Sequence, residues 1–556
     1  PLTSTARPMA TSEAMQPVNA APEDQDQRPL SELLAALQLR YVHRSAKTLW
    51  LARTLNVALE LHVDKCVIHK SEQDTGARFN RRELLWQDVL GAHVLTTTGD
   101  HLDLTTLDVA AMAQGEQKFL LGLFACPSKQ RSSTSLKKRK LVEWFYQFDA
   151  AHAAATVAVA KWINYLADPR TVDVLAQATS LDSLQRVDYP ARKFLVIINP
   201  VGGSGRGVQT YENKVAPIFK YANIDATLEI TTKAAHGTEI VAKMPLNTYD
   251  CVLSVGGDGS LCEVFQGLMQ REDWNLAVRQ PIGIIPGGSG NGLSASVLHQ
   301  SNEKPKPSNA AFVLAKGKPQ EIDITSVRNG KETMYSFLSF EWALIADVDI
   351  ESEKLRMLGG MRFVVTFGQH LLITRKEYPG TVWYLEDEQG GAEPLRYFDV
   401  HDPASTERPG FDLVDNSAEN ADESKGGKWK EITGNFHILW IMNVTHAAAD
   451  AFVAPGAKLD DGYNYIMVLH GDHPRKQLIA ILTAIENGKH LEETDAQLIR
   501  TRAFKLKTDR PDDLLCVDGE VFEGPYVEGQ VHRGLGRIIT LPPPHTATKP
   551  TAEATS

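Results

Sequence analysis

The chain has 556 residues and a formal net charge of −11; this length predicts roughly two to four domains, and the charge argues against a nucleic-acid partner. Hydrophobic residues make up 43 % of the sequence and charged residues 23 %, which is the balance of an ordinary globular protein. The five cysteines are scattered without a CxxC pair, which predicts reduced thiols in an intracellular protein.

The first segment, residues 1–29, is rich in Ala, Pro, Thr and Glu and lacks the apolar core of a secretory signal. Its composition predicts a disordered tail, and residues 542–556 predict a second one. No apolar run approaches the roughly 18 residues that a membrane span needs. We therefore expect a cytoplasmic protein whose contact with intracellular or plasma membranes is peripheral.

Residues 30–189 are predicted to form a small domain that is rich in short strands. The pattern predicts a short helix between Ser31 and Leu61, strands at 84–94, 102–107 and 119–124, and a helix over Leu141–Ala167. Several strands closed by one helix favour a small β-barrel of the pleckstrin-homology (PH) type.

Two basic stretches of this domain, Lys129–Arg131 and Lys137–Lys140, flank a run of serine and threonine. One interpretation is a solvated loop. The other is a regulatory contact with anionic lipid headgroups, which is worth about 1 kcal/mol per basic residue near such a surface.

Residues 190–320 alternate between strand-like and helix-like segments. Three apolar, β-branched runs each end in a glycine-rich loop that leads into a segment with helical spacing; the runs are Phe194–Ile198, Cys251–Val255 and Ile282–Ile285. Such units predict an α/β domain with a parallel sheet and all three loops at its carboxyl edge, where open α/β folds bind ligands. Glycine allows backbone N–H groups to approach phosphate oxygens, and helix N-termini favour negative charge.

Residues 321–541 change to short β-branched and aromatic runs with few helices, which predicts an antiparallel β-sandwich as a second catalytic lobe. Within it, residues 402–430 are rich in Asp, Glu, Ser and Gly and predict a disordered surface insertion. The apolar stretch Leu358–Ile373 fits either core packing or the wall of a pocket for a long alkyl chain.

The glycine loops do not match the common nucleotide fingerprints. No Lys-Ser/Thr pair follows Gly202–Gly207 at the spacing of a Walker A loop, and the glycines lack the spacing of a dinucleotide-binding turn. Taken singly, each loop is weak evidence, because most such stretches are turns.

Taken together, the three loops resemble the diacylglycerol-kinase catalytic domain, a superfamily of lipid and nucleotide kinases. The resemblance covers residues 190–320 and rests on Asn199-Pro200…Gly202-Gly203, Gly256-Gly257-Asp258-Gly259 and Pro286–Asn291, in that order. It implies that Asp258 is the general base on the acceptor hydroxyl, a role that suits a carboxylate flanked by glycines. The alternative is a turn aspartate that accepts hydrogen bonds from its own backbone.

Farther along, the chain resembles the sphingosine kinase family. The blocks that carry this resemblance are Ser339–Lys354, Leu355-Arg356, Leu358–Phe363, Ile485–His490 and Val517–Glu520. It covers about residues 193–541 and implies a lipid kinase that uses ATP and Mg²⁺ to phosphorylate the primary hydroxyl of sphingosine, sphinganine or phytosphingosine. Asp349 is then implied to bind the ammonium group of the substrate, a charge that ceramide and diacylglycerol lack.

The same resemblance implies the other site residues. Besides Asp349, the substrate site would include Ser339, Gly256, Gly257 and Gly259. ATP would be bound by Asn199, Pro200, Val201, Gly202, Gly203, Thr231, Thr232, Lys233, Glu263, Gly288, Ser289, Gly290, Arg356, Arg362, Asp518, Gly519 and Glu520, with Asp518 as the candidate Mg²⁺ ligand. Where family members carry basic residues after Lys233, this chain has Ala234 and Ala235, so we do not count that pair among the nucleotide contacts.

Single residues in these blocks keep alternative interpretations. The acids that lie two apart fit the solvated face of a strand end; they are Asp347, Asp349, Glu351 and Glu353. The two arginines fit surface ion pairs with Glu351 or Glu353.

Other functions also stay open. A ceramide or diacylglycerol kinase would leave Asp349 without a charged partner. An NAD-kinase-like enzyme is disfavoured by the long sandwich and by the block Ala346–Asp349. A non-catalytic lipid-binding scaffold with a kinase fold is disfavoured because the expected catalytic residues are present. The expected partners are ATP, a sphingoid base and membrane surfaces, without nucleic acid, and a homodimer is left open.

Overall fold

The computed structural model of the protein describes residues 30–42, 55–70, 80–114, 117–132, 135–358, 361–372, 376–387, 393–415 and 428–542. The tail predicted at 1–29, and all but Pro542 of the tail predicted at 542–556, lie outside the described residues. Within the described ranges, the helices are too short or too polar to cross a membrane.

The N-terminal region is organised around an antiparallel sheet. Its strands, in spatial order, are Arg82–Leu85, Lys65–Lys70, Leu55–Leu61, Leu39–Val42, Val142–Asp149, Lys118–Ala125, Val89–Thr96 and His101–Leu102. A ribbon of Ser128–Lys129 and Lys138–Arg139 and the helices Leu30–Ala36, Val109–Ala113, Ala153–Ala167 and Val172–Gln177 complete the region. Helix Ala153–Ala167 packs its apolar residues into one core with the sheet.

The helix predicted over Leu141–Ala167 is wrong for residues 141–149; a 3₁₀ turn covers Ala150–His152, and the α-helix begins only at Ala153. Val142–Asp149 is a strand that pairs with Lys118–Ala125 along its whole length. It carries the β-branched and aromatic residues that favour strands, whereas the alanines that favour a helix come later.

The α/β region places parallel strands side by side. In spatial order they are Ile224–Ile230, Arg192–Ile198, Cys251–Gly256 and Ile282–Pro286. The helices around them are Gly207–Thr210, Ala216–Tyr221, His236–Lys243, Asp258–Gln270, Trp274–Ala277, Gly292–Gln300 and Pro307–Lys316, and a π-helical turn covers Tyr211–Val215. Because the strands are parallel, the glycine loops that follow three of them lie at one edge of the sheet.

This sheet continues into the C-terminal lobe. Strand Tyr526–Thr540 is parallel to Ile282–Pro286, through the pair Ile282 and Ile538, and antiparallel to Lys318–Arg328. The further strands are Thr333–Ser336, Ser339–Ala343, Tyr378–Leu385, Trp429–Met442, Asn464–His470, Gln497–Thr501, Ala503–Thr508, Leu515–Val517 and Glu520–Phe522. The second lobe is therefore β-rich, as predicted, but it shares one hydrogen-bonded sheet with the α/β region.

Helices and a ribbon lie around these strands. The helices are Leu344–Ser352, Met361–Leu372, Tyr397–Val400, Asp412–Asp415, Arg475–Ile485 and His490–Glu493, and the ribbon is formed by His446–Ala448 and Ala451–Phe452. The first of these helices carries Asp349, so it positions one of the predicted site residues.

The polar insertion that the sequence predicts to be disordered is partly ordered against the α/β region. The Trp274 indole N–H donates to Thr406 O over 2.8 Å, and Phe411 is buried. A few such contacts fix a segment whose average composition is polar. The prediction of disorder is therefore wrong for residues 402–415 and for 428–430, where strand Trp429–Met442 begins. Residues 416–427 lie outside the described residues.

The N-terminal region packs against the α/β region through a buried lysine. Lys316 ends helix Pro307–Lys316, and its Nζ donates to carbonyl oxygens of the N-terminal region, namely those of Trp86 (3.0 Å), Val89 (2.8 Å) and Ala167. Nearby, the rings of Phe124 and Tyr221 stack with their centroids 3.6 Å apart. The contact between the two regions is thus both polar and apolar.

Arg139, from the second predicted basic stretch, belongs to the same interface. Its guanidinium is buried in ion pairs with Asp88 and Glu303. It is therefore not available to lipid headgroups, whereas Lys129 and Lys138 are exposed.

Candidate active site

The three glycine loops meet backbone to backbone at the carboxyl edge of the parallel strands. Gly287 N donates to Gly256 O over 2.8 Å, which joins the second loop to the third. Gly203 has φ +55°, and a Cβ atom on it would lie 2.9 Å from Gly288 Cα. A Cβ atom on Gly288 would lie 2.9 Å from Gly257 N. Side chains do not fit between these loops, so the contacts require glycine.

Asn199 holds the first loop in shape. Its Oδ1 accepts hydrogen bonds from the N–H groups of Val201 (3.1 Å) and Gly202 (2.9 Å), and its Nδ2 donates to Ser260 Oγ (3.1 Å). Pro200, between these residues, has no N–H to donate. The amides that the sequence predicts for phosphate contact are thus partly satisfied by the protein in this conformation.

Asn291 plays the same part in the third loop. Its Oδ1 accepts from Gly288 N (2.9 Å), and its Nδ2 donates to Gly288 O (2.8 Å). Ser289 and Gly290 form the tip of the loop between these two bonds. Asn291 itself has φ +63° and directly precedes helix Gly292–Gln300. The first N–H of this helix, that of Gly292, donates to Asp258 in the second glycine loop.

Asp258 is buried where two helices begin. It is the first residue of helix Asp258–Gln270, and its carboxylate accepts from Gly292 N (2.8 Å) and Leu293 N (3.1 Å) at the start of the neighbouring helix. Burial raises the pKa of this carboxyl above its ordinary value, and the backbone N–H groups oppose the rise. A carboxylate with a raised pKa is a better proton acceptor near neutral pH.

Asp349 lies on helix Leu344–Ser352 and not at a strand end. Successive helical residues point about 100° apart, so acids spaced by two do not share one face. Asp347, in the same acidic run, is buried and accepts from Tyr378 Oη (2.6 Å) and Lys376 Nζ (3.0 Å). The solvated face that the sequence allows as an alternative therefore does not include Asp347, whereas the side chains of Glu351 and Glu353 are 41 % and 39 % exposed.

The Asp349 carboxylate has two close neighbours. Cys516 Sγ donates to Oδ2 over 3.5 Å, and Arg362 Nη2 lies 3.7 Å from Oδ1. Burial raises the pKa of the carboxyl, Arg362 opposes the rise, and the negative charge of Asp258 adds to it. The two carboxylates predicted for the site are thus within electrostatic reach of each other.

The predicted phosphate-binding arginines differ in what the structure describes. Arg362 is buried and forms an ion pair with Glu353 in addition to its contact with Asp349. This is the ion pair that the sequence allows as an alternative. Arg356 lies in the 3₁₀ helix Glu353–Leu358, and its side chain is outside the described residues.

Glu341 has no role in the sequence-based predictions, yet it lies beside Asp349. Its neighbours across the sheet are Trp440 and Cys516, and its Oε1 accepts from Ser339 Oγ and Trp440 Nε1, both over 3.0 Å. One atom each of Glu341, Asp349 and Cys516 lie within 4.8 Å of one another. The sequence signal that could have revealed Glu341 is a single acid inside a buried apolar strand.

The Asp518 carboxylate is fully engaged by protein donors. It accepts from Ser336 Oγ (2.6 Å) and from the N–H groups of Phe337 (3.1 Å), Leu338 (3.1 Å) and Ser339 (2.9 Å). Burial raises the pKa of Asp518 to about 6, and these bonds oppose the rise. A carboxylate with four protein donors does not fit as a Mg²⁺ ligand, so the predicted metal role does not suit Asp518 in this arrangement.

The turn that contains Asp518 lies close both to the Asp349 carboxylate and to the loop of Asp258. A Cβ atom on Gly519 would lie 3.9 Å from Asp349 Oδ2, and Glu520 Oε1 lies 3.4 Å from the position of a Cβ atom on Gly259. The turn therefore has the Asp349 carboxylate on one side and the loop of Asp258 on the other.

The predicted residues after the outer strand lie at the rim. Thr231 N donates to Ile198 O over 2.9 Å, and Lys233 forms an ion pair with Glu239. Thr232 lies between them, with its N–H bonded to the next helix. These contacts order the segment that borders the first glycine loop.

Glu263 contacts the backbone that follows Thr231, Thr232 and Lys233. Its carboxylate accepts from Ala235 N and Gly237 N, both over 3.0 Å, at the start of helix His236–Lys243. Such bonds satisfy N–H groups that a helix N-terminus leaves unpaired. The observed contacts of Glu263 are therefore with the protein backbone.

Two known domain families match the chain. Residues 193–327 match the diacylglycerol kinase catalytic domain, and residues 426–535 match the YegS C-terminal NAD kinase beta sandwich-like domain. The first match contains the glycine loops and Asp258, and the second contains the turn of Asp518 and Glu520.

Named relatives match a larger part of the chain. Sphingosine kinase 1 of Arabidopsis thaliana is 32 % identical over 339 residues, which are 59 % of this chain and 68 % of the relative. Sphingosine kinase 1 of Homo sapiens is 31 % identical over 365 residues, which are 63 % of this chain and 92 % of the relative. Among solved structures, a diacylglycerol kinase from Bacillus anthracis matches with 18 % identity and a TM-score of 0.43, covering 63 % of this chain and 98 % of that one.

Proposed function

The chain belongs to the sphingosine kinase family, and from this premise we propose that it transfers the γ-phosphoryl group of ATP to the primary hydroxyl of a sphingoid long-chain base. The observation that carries the proposal is the turn Asp518–Glu520, which lies between the Asp349 carboxylate and the loop of Asp258. In a sphingoid base the amine sits on the carbon next to the primary alcohol. An ammonium group bound at Asp349 leaves that alcohol on the side of Asp258.

Asp258 takes the proton of the attacking hydroxyl in this mechanism. The two N–H groups that it accepts from fix the direction of its carboxylate, so the oxygen that receives the proton is already oriented. Its raised pKa favours proton transfer from the alcohol as the new O–P bond forms and the bond from the γ-phosphorus to the bridging oxygen of the leaving ADP breaks. Gly256, Gly257 and Gly259 keep the surrounding loop free of side chains.

The glycine loops bind the phosphates of ATP. The starts of helices Asp258–Gln270 and Gly292–Gln300 have positive dipole ends, which favour anions at this edge of the sheet. Thr231, Thr232 and Lys233 border the same edge. Binding of phosphate there leaves the terminal phosphoryl group next to the base.

Arg362 and Arg356 are proposed as phosphate ligands. For Arg362 this role requires the guanidinium to exchange its ion pair with Glu353 for a phosphate oxygen. Arginine suits such an exchange because its planar group binds carboxylates and phosphates in the same bidentate way.

The kinase family implies a divalent ion bound with ATP. We propose Mg²⁺ for it, because this ion neutralises charge as it shifts between the phosphates. Asp518 is not a suitable ligand for the reason given above, and Glu520 is an exposed carboxylate beside the loop of Asp258. We therefore replace Asp518 by Glu520 as the candidate residue.

Helix Met361–Leu372 is proposed as one wall of the alkyl-chain site. Phe367 is buried, but Met361 and Val364 are each 60 % exposed. Core packing therefore explains only part of this apolar stretch. A long alkyl chain would cover such a face and gain about 0.8 kcal/mol per buried CH₂ group.

We also propose the domain division that the sequence predicts: a PH-like regulatory region at 30–189, a catalytic region at 190–320 and a lipid-substrate region at 321–541. Exposed Lys129, Arg131 and Lys138 in the first region are the candidate contacts with anionic headgroups at a cytoplasmic membrane surface. Homodimerisation stays a prediction.

The proposal is tested by offering purified protein sphinganine, ceramide and diacylglycerol with labelled ATP and Mg²⁺. We expect label in the sphingoid base alone. In Asp349→Asn we expect loss of sphinganine phosphorylation, because the ammonium loses its charged partner, whereas Asp472→Asn, at an exposed acid, serves as the control.

Label in ceramide or diacylglycerol, together with full activity of Asp349→Asn, would contradict the substrate assignment. Absence of label from all three lipids would contradict the kinase assignment and favour a non-catalytic lipid-binding protein.

A further inference from the structure

The head-group site contains more negative charge than positive charge. The charged groups that act on Asp349 are Arg362, which favours its ionised form, and Asp258, which disfavours it. Glu341 is acted on by Asp349 and by Asp518, both negative. Arg362 is also shared with Glu353. Glu341 is buried and Asp349 is partly buried, and one atom of each lies within 4.8 Å of the other. Two carboxylates this close cannot both stay ionised at low cost unless a further cation joins them.

Glu341 also has an oxygen that lacks a donor. The residue is only 5 % exposed, its Oε1 accepts two hydrogen bonds, and its Oε2 is buried without a partner in the described part of the chain. A buried acceptor without a donor costs free energy. A ligand with a positive charge would balance the excess of negative charge, and its N–H groups would donate to Glu341 Oε2.

We propose that Glu341 is a second carboxylate of the head-group site, which accepts from the substrate ammonium alongside Asp349 and selects a charged primary amine over an amide. This inference rests on the proposed function and deepens it.

The chemistry of the ammonium group supports this assignment. It has three N–H donors, and one oxygen of Asp349 already accepts from Cys516. Glu341 supplies a further acceptor close by, because its carboxylate, whose Oε2 has no donor among the described residues, approaches that of Asp349 within 4.8 Å. With Arg362 and the ammonium present, the two carboxylates face two positive charges. An N-acyl group brings no charge and adds a carbonyl oxygen that the carboxylates repel.

The test uses Glu341→Gln in the full chain, with sphinganine and N-acetylsphinganine in the same detergent micelles. The amide oxygen of glutamine can still accept from Ser339 and Trp440, so the strand contacts are kept. We expect KM for sphinganine to rise about tenfold or more, since a hydrogen bond to a charged group is lost, with KM for ATP and kcat nearly unchanged. The preference for sphinganine over its N-acetyl form should shrink by the same factor.

Glu351→Gln is the matched control, because Glu351 lies on the helix of Asp349 but pairs with His370. It should keep the preference of the wild type. An equal loss on both lipids in Glu341→Gln, or no loss on either, would overturn the inference and leave Glu341 a structural residue.

Equilibrium binding of the two lipids separates this inference from the proposed function. A wild type that binds sphinganine without phosphorylating it would refute the kinase activity, and a binding preference that falls in Glu341→Gln would still support the role of Glu341. A wild type that binds both lipids equally would overturn that role.

Discussion

Asp258 is buried and yet accepts two backbone N–H bonds. Burial disfavours its charge, whereas the bonds from Gly292 and Leu293 stabilise the charge and fix its direction. A base in this position is basic enough to accept a proton and is held still while it does so. The two N–H donors belong to the start of helix Gly292–Gln300, so the base depends on a neighbouring element for its orientation.

Replacement of Asp258 by Asn should abolish most turnover while the fold is kept. The amide cannot accept the hydroxyl proton, and we expect kcat to fall about a hundredfold to ten-thousandfold. The amide oxygen still accepts one of the two N–H bonds, so the thermal midpoint should fall only slightly. Steady-state kinetics and thermal unfolding check this result. Asp225→Asn, at an exposed acid of the outer strand, should change neither, and near-normal kcat in Asp258→Asn would remove the base role.

Single residues differ in how far the sequence reveals them. Asp258 is predicted because glycines surround it at a specific spacing, and glycine allows the close backbone approach that such loops need. Glu341 is not predicted, because its importance comes from Asp349 and Cys516, which reach it through folding and not through spacing. The contacts of Asp518 are equally long-range, since its four donors come from residues 336–339.

At the scale of elements, the glycine loops act as one unit, because each touches another. The third loop is central: its Gly288 is close to both Gly203 and Gly257. A change in one loop is therefore transmitted to the whole edge of the sheet.

Gly288→Ala should displace the second loop and weaken ATP binding. The added Cβ atom would lie 2.9 Å from Gly257 N, which is backbone and cannot rotate away. We expect a loss of about 1 to 3 kcal/mol in stability, as for overpacked sites, and a higher KM for ATP. In Gly410→Ala, the nearest atom to the new Cβ would be a side-chain oxygen at 3.5 Å, so this control should match the wild type. An unchanged KM in Gly288→Ala would contradict the close contact of the loops.

Helices and strands are predicted well where the composition of a segment matches its burial in the folded protein. The strands before the glycine loops are buried on both faces and read as continuous apolar runs. The acidic run around Asp349 is misleading, because spacing by two suggests a strand while the chain forms helix Leu344–Ser352. Burial of Asp347 against Lys376 and Tyr378 explains the difference, and no local pattern records those partners.

At the scale of the whole molecule, the N-terminal region is joined to the α/β region by hydrogen bonds of a buried lysine, Lys316. Burial lowers the pKa of Lys316 to about 7, Arg192 acts in the same direction, and Asp168 and Asp88 oppose it. In an unfolded chain lysine titrates near pH 10.4. Between these values the unfolded chain binds a proton that the folded protein has released, so stability rises with pH in this window.

Wild-type protein should therefore gain stability relative to Lys316→Met as the pH rises from 7 to 9, by about 2 kcal/mol. Thermal midpoints of both proteins at the two pH values measure this gain. Lys318→Met is the control, because Lys318 is partly exposed and pairs with Asp173. A wild type and a Lys316→Met variant that shift in parallel would show that Lys316 keeps an ordinary pKa in the interface.

The last long strand has a consequence for the synthesis of the chain. Tyr526–Thr540 pairs with Ile282–Pro286 and with Lys318–Arg328, so the parallel strands are complete roughly 250 residues before their neighbour leaves the ribosome. At about 5 to 20 residues per second, this interval is on the order of ten to fifty seconds. During that time the nascent protein has an open, apolar sheet edge, which is the kind of surface that chaperones bind and that aggregates when they do not.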